Sequence, residues 1–219
     1  MSDTYSIDPE HLKLIHPFSF ICSGPSQSGK SSFVLKLIDN LPQLTTPPVD
    51  NIIYIYNTWQ EKFDSYKNKV FFTDKFKYLT YKPSQPTLLI CDDHMSDLHN
   101  SKELLDLFIR NSHHLGISVL LILQNIFEKG KIFKSLRQNT HYYYLTEHLQ
   151  DRQSIEVFAR QLEPKNSRYF IESYDDAVSK PYGGLFCDLH PHSKLRPLAK
   201  YRTGVENLRD QTLYIAKNA

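Results

Sequence analysis

The sequence predicts an α/β domain built on a largely parallel central sheet flanked by helices. Short β-rich runs alternate with helix-length segments along its 219 residues, the order expected when strands are joined by crossover helices. Several runs, IIYIY, TLLIC and ISVLLIL among them, are apolar throughout instead of alternating. Strands read that way when helices cover both of their faces. A third observation is a glycine-containing turn that follows the run FSFIC and opens a helix-length segment.

Taken in order, strands are expected over 18–23, 51–56, 70–73, 87–92, 117–124, 141–146 and 184–189, and helices over 30–40, 101–114, 151–161 and 171–179. In the second helical segment Leu104, Leu105, Phe108 and Ser112 share one face that suits a sheet. The stretch 41–49, LPQLTTPPV, reads as a proline-broken loop. Residues 1–195 read as one domain, with 1–16 as its N-terminal extension. Residues 196–219, charged and weakly periodic, read as a C-terminal tail, either helix or arm.

Composition narrows the classes. Hydrophobic residues make up 40% of the chain and aromatic residues 13%, enough to fill one core and too much for a disordered or fibrous protein. No repeat of the length used by solenoids or propellers is present. No apolar run reaches the roughly 18–20 residues of a membrane span, and the N-terminus lacks the basic and apolar regions of a secretion signal. An intracellular protein with no membrane span is expected. Cys22, Cys91 and Cys187 each lie in an apolar run, where cysteine acts as a small buried hydrophobe, and they indicate neither disulfide nor zinc. A net charge of +2 is too balanced to mark a nucleic-acid binder, so any DNA contact needs a local patch.

The turn is Gly24-Pro25-Ser26-Gln27-Ser28-Gly29-Lys30-Ser31, a full match to G-x-x-x-x-G-K-[ST] in the strand–turn–helix context that this motif requires. Its glycines let the backbone curl until successive N–H groups and the helix N-terminus face phosphates. Lys30 is then placed for the β- and γ-phosphates, Ser31 for Mg2+, and Ser32 continues the cradle into the helix. ATP with Mg2+ is the expected ligand.

Leu88-Leu89-Ile90-Cys91-Asp92-Asp93 is an apolar strand ending in two acids, the form of a Walker B strand. Asp92 is expected to hold magnesium through water and Asp93 to orient or deprotonate the attacking water. Many ATPases have glutamate in the second role, and an acidic cap on a following helix is the other reading of both acids. The strand over 117–124 ends in Gln124-Asn125, where additional-strand ATPases carry a polar sensor of the γ-phosphate. Gln124 is that candidate, beside the plainer reading of a soluble strand end.

Multimeric motors complete hydrolysis with an arginine from a neighbouring subunit. Arg110, Arg137, Arg152 and Arg160 are available; Arg137, just before HYYYLT, is preferred, and each is also readable as a surface or capping residue. The segment EKGKIFKSLR sets Lys129, Lys131, Lys134 and Arg137 around apolar residues, which suits either a DNA backbone or an ordinary solvated face. His94, His99, His113, His114, His190 and His192 have no cysteine partners and no HExxH arrangement, so no metal beyond magnesium is expected. Trp59 stays open between a core and a base-stacking role.

With these residues in hand, the chain resembles the genome-packaging ATPases of the FtsK/HerA superfamily, in particular those of Polinton (Maverick) elements, adintoviruses and related large DNA viruses of the poxvirus-like group. The resemblance spans residues 17–192 and is carried by HPFSFICSGPSQSGKSSFV, IIYIYNTWQEKFD, LLICDDHM, LFIRNSHHLGISVLLILQNIFEKGK, NTHYYYL, DRQSIEVFARQLEP and YDDAVSKPYGGLFCDLHPH. The succession S-H-H, Q-N-[IL]-F and A-R-Q-x-x-P is specific to that group. It implies an additional-strand, RecA-like P-loop NTPase fold, with Lys30 and Ser31 at phosphate and magnesium, Asp92 and Asp93 at Walker B, and Gln124 as sensor. Ser112-His113-His114 is implied to pack or to communicate with the γ-phosphate. The resemblance also implies double-stranded DNA, a homo-oligomeric ring (pentamer or hexamer), and capsid or portal-vertex proteins as partners, at virion assembly sites in the host nucleus or cytoplasm.

The resulting expectation is an ATP-driven DNA translocase that packages a viral or virus-like genome into a capsid. A helicase or replication ATPase would share the same nucleotide site. So would an assembly scaffold that binds nucleotide without turnover, which Asp93 in place of glutamate allows.

Overall fold

Both faces of the central strands are apolar, and the chain folds so that both are covered. The structure is a computed structural model describing residues 7–74, 85–92, 106–111, 115–128, 130–195 and 199–216, without the side chains of Arg110 and Asn111. Its strands are β1 (Leu14–Ile15), β2 (Ser19–Ser23), β3 (Thr45–Thr46), β4 (Asn51–Tyr56), β5 (Phe71–Thr73), β6 (Thr87–Asp92), β7 (Ile117–Leu123), β8 (Tyr142–Thr146), β9 (Gly184–Asp188), β10 (Tyr201–Thr203) and β11 (Thr212–Tyr214). Among the described residues the α-helices are α1 (Lys30–Leu44), α2 (Lys131–Gln138), α3 (Arg152–Leu162) and α4 (Ser167–Val178). Short 3-10 turns occupy Pro9–Leu12 and Glu61–Tyr66, and a π-helical stretch covers Leu107–Asn111.

Among the described residues the main sheet has nine strands in the order β11-β10-β9-β8-β2-β7-β6-β4-β5. From β8 to β5 the neighbours are parallel, whereas the pairs β8–β9, β9–β10 and β10–β11 are antiparallel. The expected α/β architecture with a mostly parallel, helix-flanked sheet is therefore the observed one. Side chains alternate between two cores: along β7, Val119, Leu121 and Leu123 join one, and Leu120 and Ile122 the other. The first core is closed by Phe133 and Leu136 of α2, Ile155, Phe158 and Ala159 of α3, and Phe170, Tyr174 and Ala177 of α4. The second is closed by α1, whose buried Phe33, Val34, Leu37, Ile38 and Leu41 follow the helical repeat. Phe33 stacks on Tyr144 of β8 with ring centroids 3.6 Å apart. Cys22, Cys91 and Cys187 are buried free thiols on these strands.

Several elements differ from the expectation. Helix α1 continues through Pro42 to Leu44, because a proline in the last turn forfeits one ladder hydrogen bond without unwinding the turns before it. The next residues form β3, which pairs in parallel with β1 and ties the N-terminal extension to the body through Leu14, fully buried. Segment 131–138, expected as a basic stretch, is helix α2, with Lys131 and Lys134 exposed opposite the buried Phe133 and Leu136. Of the expected helix 101–114, residues 101–105 and 112–114 lie outside the described residues, and Leu107 and Phe108 sit in the first core.

The tail reading is corrected most. Where a helix or arm was expected after residue 195, β10 and β11 extend the main sheet. Tyr201 is fully buried and its hydroxyl hydrogen-bonds Glu163 at 3.0 Å. Arg202, also fully buried, lies over the Phe186 ring at 4.8 Å and 3.7 Å from the Asp188 carboxylate. Burial pushes its guanidinium pKa down, against the pull of Asp188. Tyr201→Ala is expected to cost about 3–5 kcal/mol in urea unfolding, the range for a buried aromatic; a loss near zero would place the tail outside the cooperative core.

Candidate nucleotide site

Parallel strands that are apolar on both faces leave their carboxyl ends as the place for polar groups. The turn 24–29 leaves β2 there and is held from both sides. Gly24 N–H donates to Leu123 O of β7 at 3.2 Å. On the other side, a β-carbon on Gly24 would stand 1.8 Å from Thr146 Oγ1 of β8, so glycine is required by contact. Thr146 Oγ1 also hydrogen-bonds Ser28 Oγ at 2.7 Å. Gln27 and Gly29 have φ of 65° and 93°, the left-handed values that curl the loop into α1.

Lys30 is buried, and its ammonium donates to Gly24 O at 2.6 Å and Pro25 O at 2.7 Å. Asp92, at the end of β6, is 8% exposed. Its Oδ2 accepts from Tyr54 Oη at 2.6 Å and from Ser31 Oγ at 3.4 Å. Burial, then the Asp92 charge, drives the Tyr54 pKa upward, so the phenol stays a donor. Lys30, Ser31 and Asp92 border a cavity of about 430 Å³, a volume in the range of small-ligand sites. Ser26, Gln27, Gly29, Ser31, Ser32 and Gln124 are on its wall with Lys30 and Asp92, while Gly24, Pro25 and Ser28 form the support behind them.

Chemically this is an anion cradle beside a hard-oxygen pair. Backbone N–H groups at the start of a 15-residue helix and an adjacent ammonium suit phosphate. Ser31 Oγ and Asp92 Oδ2 are the donors that a Mg2+ ion uses when phosphate oxygens and water fill its remaining positions, so the residues fit that ion. Among the described residues no group of three or more His, Cys, Asp and Glu is placed to hold a metal ion.

Other expected residues fall elsewhere. Asp93, Ser112-His113-His114, His94, His99 and Lys129 lie outside the described residues. Arg137 is not on the cavity wall; its guanidinium stacks over Phe127 at 4.6 Å. Arg152 is paired with Asp175, and Arg160 with Glu156 one turn away. His190 and His192 sit past the end of β9, at the opposite edge of the sheet, with His190 4.6 Å from the His141 ring. Trp59 resolves toward a structural role: it meets Tyr56, Phe63 and Phe72 edge-on, under the Lys67 ammonium.

Sequence reading missed Tyr54, Thr146, Lys62 and Tyr182. Lys62 lines the cavity just after β4, and desolvation lowers its pKa against the pull of Asp92. Its position was the available signal, since NTWQEK follows a predicted parallel strand at the edge where ligands bind.

No protein-family model matches the chain, and neither does any curated protein sequence. Solved structures do. The genome-packaging NTPase B204 of Sulfolobus turreted icosahedral virus 2, in complex with ATP-gammaS, is 14% identical over 95% of this chain and 98% of its own, with a TM-score of 0.54. The DNA-packaging ATPase B204 of Sulfolobus turreted icosahedral virus is 12% identical over 93% and 99%, with a TM-score of 0.55. The cytoplasmic domain of the Thermomonospora curvata type VII secretion ATPase EccC is 16% identical over 78% of this chain and 24% of its own, with a TM-score of 0.52. What they share with this chain is the fold. No helix among the described residues is long and apolar enough to cross a membrane.

Tyr54→Phe removes the short hydrogen bond to Asp92 and keeps the ring. If the cavity takes Mg·ATP through Asp92, its binding is expected to weaken by about 10- to 100-fold, the effect of losing a partner of a metal-ligating carboxylate, with the melting temperature little changed. Unaltered affinity would remove Tyr54 from the site.

Proposed function

We propose that the chain is a Mg2+-dependent ATPase that drives double-stranded DNA into a viral or virus-like capsid. The observation that carries this reading is the convergence of Lys30, Ser31 and Asp92 on one cavity at the carboxyl edge of the sheet. The shared fold with B204, itself a genome-packaging NTPase, supports the packaging assignment. So do the sequence signals of the FtsK/HerA superfamily, which favour the Polinton, adintovirus and poxvirus-like group.

In this reading Lys30 exchanges its loop carbonyls for the β- and γ-phosphates, and the N–H groups of residues 26–32 hold the remaining oxygens. Ser31 and Asp92 hold Mg2+, which when bound neutralises charge on the phosphates. Tyr54 fixes the Asp92 carboxylate, Gln124 contacts the γ-phosphate end, and Asp93 orients the attacking water. The stacking of Arg137 outside its own cavity fits a finger offered to a neighbouring subunit, hence a homo-oligomeric ring, pentamer or hexamer, with the exposed Lys131 and Lys134 available to DNA phosphates. Capsid or portal-vertex proteins complete the partners, at assembly sites in the host nucleus or cytoplasm. The ATPase domain in this reading takes in the tail strands as well as residues 1–195.

Steady-state ATP hydrolysis across protein concentration, with and without double-stranded DNA, tests the proposal. Turnover should rise with DNA and more steeply than linearly with protein. Lys30→Ala should abolish binding or turnover and Asp92→Asn should weaken the Mg2+-dependent rate; near-wild-type turnover in both would overturn the site. Arg137→Ala should slow turnover and spare ATP binding, and an unchanged rate would exclude it as the finger.

A further inference from the structure

Tyr182 is 75% exposed, so solvent exclusion does not explain why its ring stands where it does. It sits in the turn between α4 and β9, and its φ is 59°, a left-handed value that disfavours a bulky side chain. The turn holds it there. Gly183 N–H donates to Lys180 O at 2.9 Å, and a β-carbon on Gly183 would stand 2.3 Å from Ala177 O. Gly184, next in line, has no room for one either, against the Tyr144 ring at 2.6 Å. The effect is to set the Tyr182 ring against the phosphate loop: a β-carbon on Gly29 would lie 3.0 Å from Tyr182 Cβ and 3.1 Å from Cδ1.

That ring lines the same cavity as Lys30, Ser32 and Asp92, and it is the one aromatic side chain on the described wall. Trp59, the other exposed ring in the neighbourhood, is taken up by Tyr56, Phe63 and Phe72. A strained, solvated aromatic beside an anion cradle matches a ligand with a phosphate chain at one end and a flat ring at the other. We propose that Tyr182 is the platform on which the purine of a nucleoside triphosphate stacks while its phosphates occupy the loop. This rests on the reading of that loop as a nucleotide site.

Calorimetric titration of the full chain with Mg·ATP, Mg·CTP and Mg·tripolyphosphate separates the two readings. The wild type should bind ATP more tightly than CTP. Tyr182→Ala and Tyr182→Gly should each weaken ATP about tenfold, the usual effect of removing a base-stacking ring, and leave tripolyphosphate unchanged; Tyr182→Phe should bind like wild type. Glycine accepts the left-handed backbone, so Tyr182→Gly should melt no lower than wild type, which separates lost stacking from lost fold. ATP affinity that survives both truncations, or falls in step with tripolyphosphate, would overturn the platform. A change confined to the protein-concentration dependence of turnover would also overturn it, making the ring a subunit contact. Failure of the wild type to bind either ATP or tripolyphosphate would overturn the nucleotide site itself.

Discussion

Burying both faces of β2, β6, β7 and β8 restricts where polar chemistry can exist in this molecule. Within the strands, a charge would face a helix layer with no partner, a cost of several kcal/mol. At their carboxyl ends, polar groups from separate strands meet each other and solvent. Tightness there has its own requirement, visible at Gly24, where the Thr146 hydroxyl leaves no space for a β-carbon. The loop is thus shaped by its neighbours β7 and β8 as much as by its own sequence.

The same packing explains the state of the charges. A carboxylate as buried as Asp92 needs donors, and it finds them in Tyr54 and Ser31. Tyr54 reaches it because β4 and β6 pair in register, with Tyr56 opposite Asp92, which puts the side chain two residues earlier on the same side. A hydrogen bond between two residues 38 apart in sequence therefore fixes the acid that faces the cavity.

Legibility in the sequence follows from how local each feature is. Strands β4 and β6 have the bounds read from their apolar runs, because covering both faces leaves a continuous signal that needs no tertiary knowledge. The phosphate loop is contiguous, so its residues and their context can be read together. Tyr54, Thr146 and Tyr182 meet the site only through strand pairing or a distant turn, and nothing beside them marks that encounter. Strands β10 and β11, three residues each, are too short to show a period. In α2 the buried face is only Phe133 and Leu136, and the flanking charges hid it.

One consequence follows from the hydrogen bonds of Lys30. Its ammonium is held by the carbonyls of Gly24 and Pro25, so the loop supplies acceptors for its own lysine. In the proposed function, a phosphate at this loop competes with two intramolecular acceptors, and its net gain is an exchange of partners that falls short of the full strength of the new contacts. On that reading the apparent dissociation constant is raised by the population of the arrangement in which Lys30 keeps its carbonyls. The two carbonyls also give the buried Lys30 ammonium acceptors of its own.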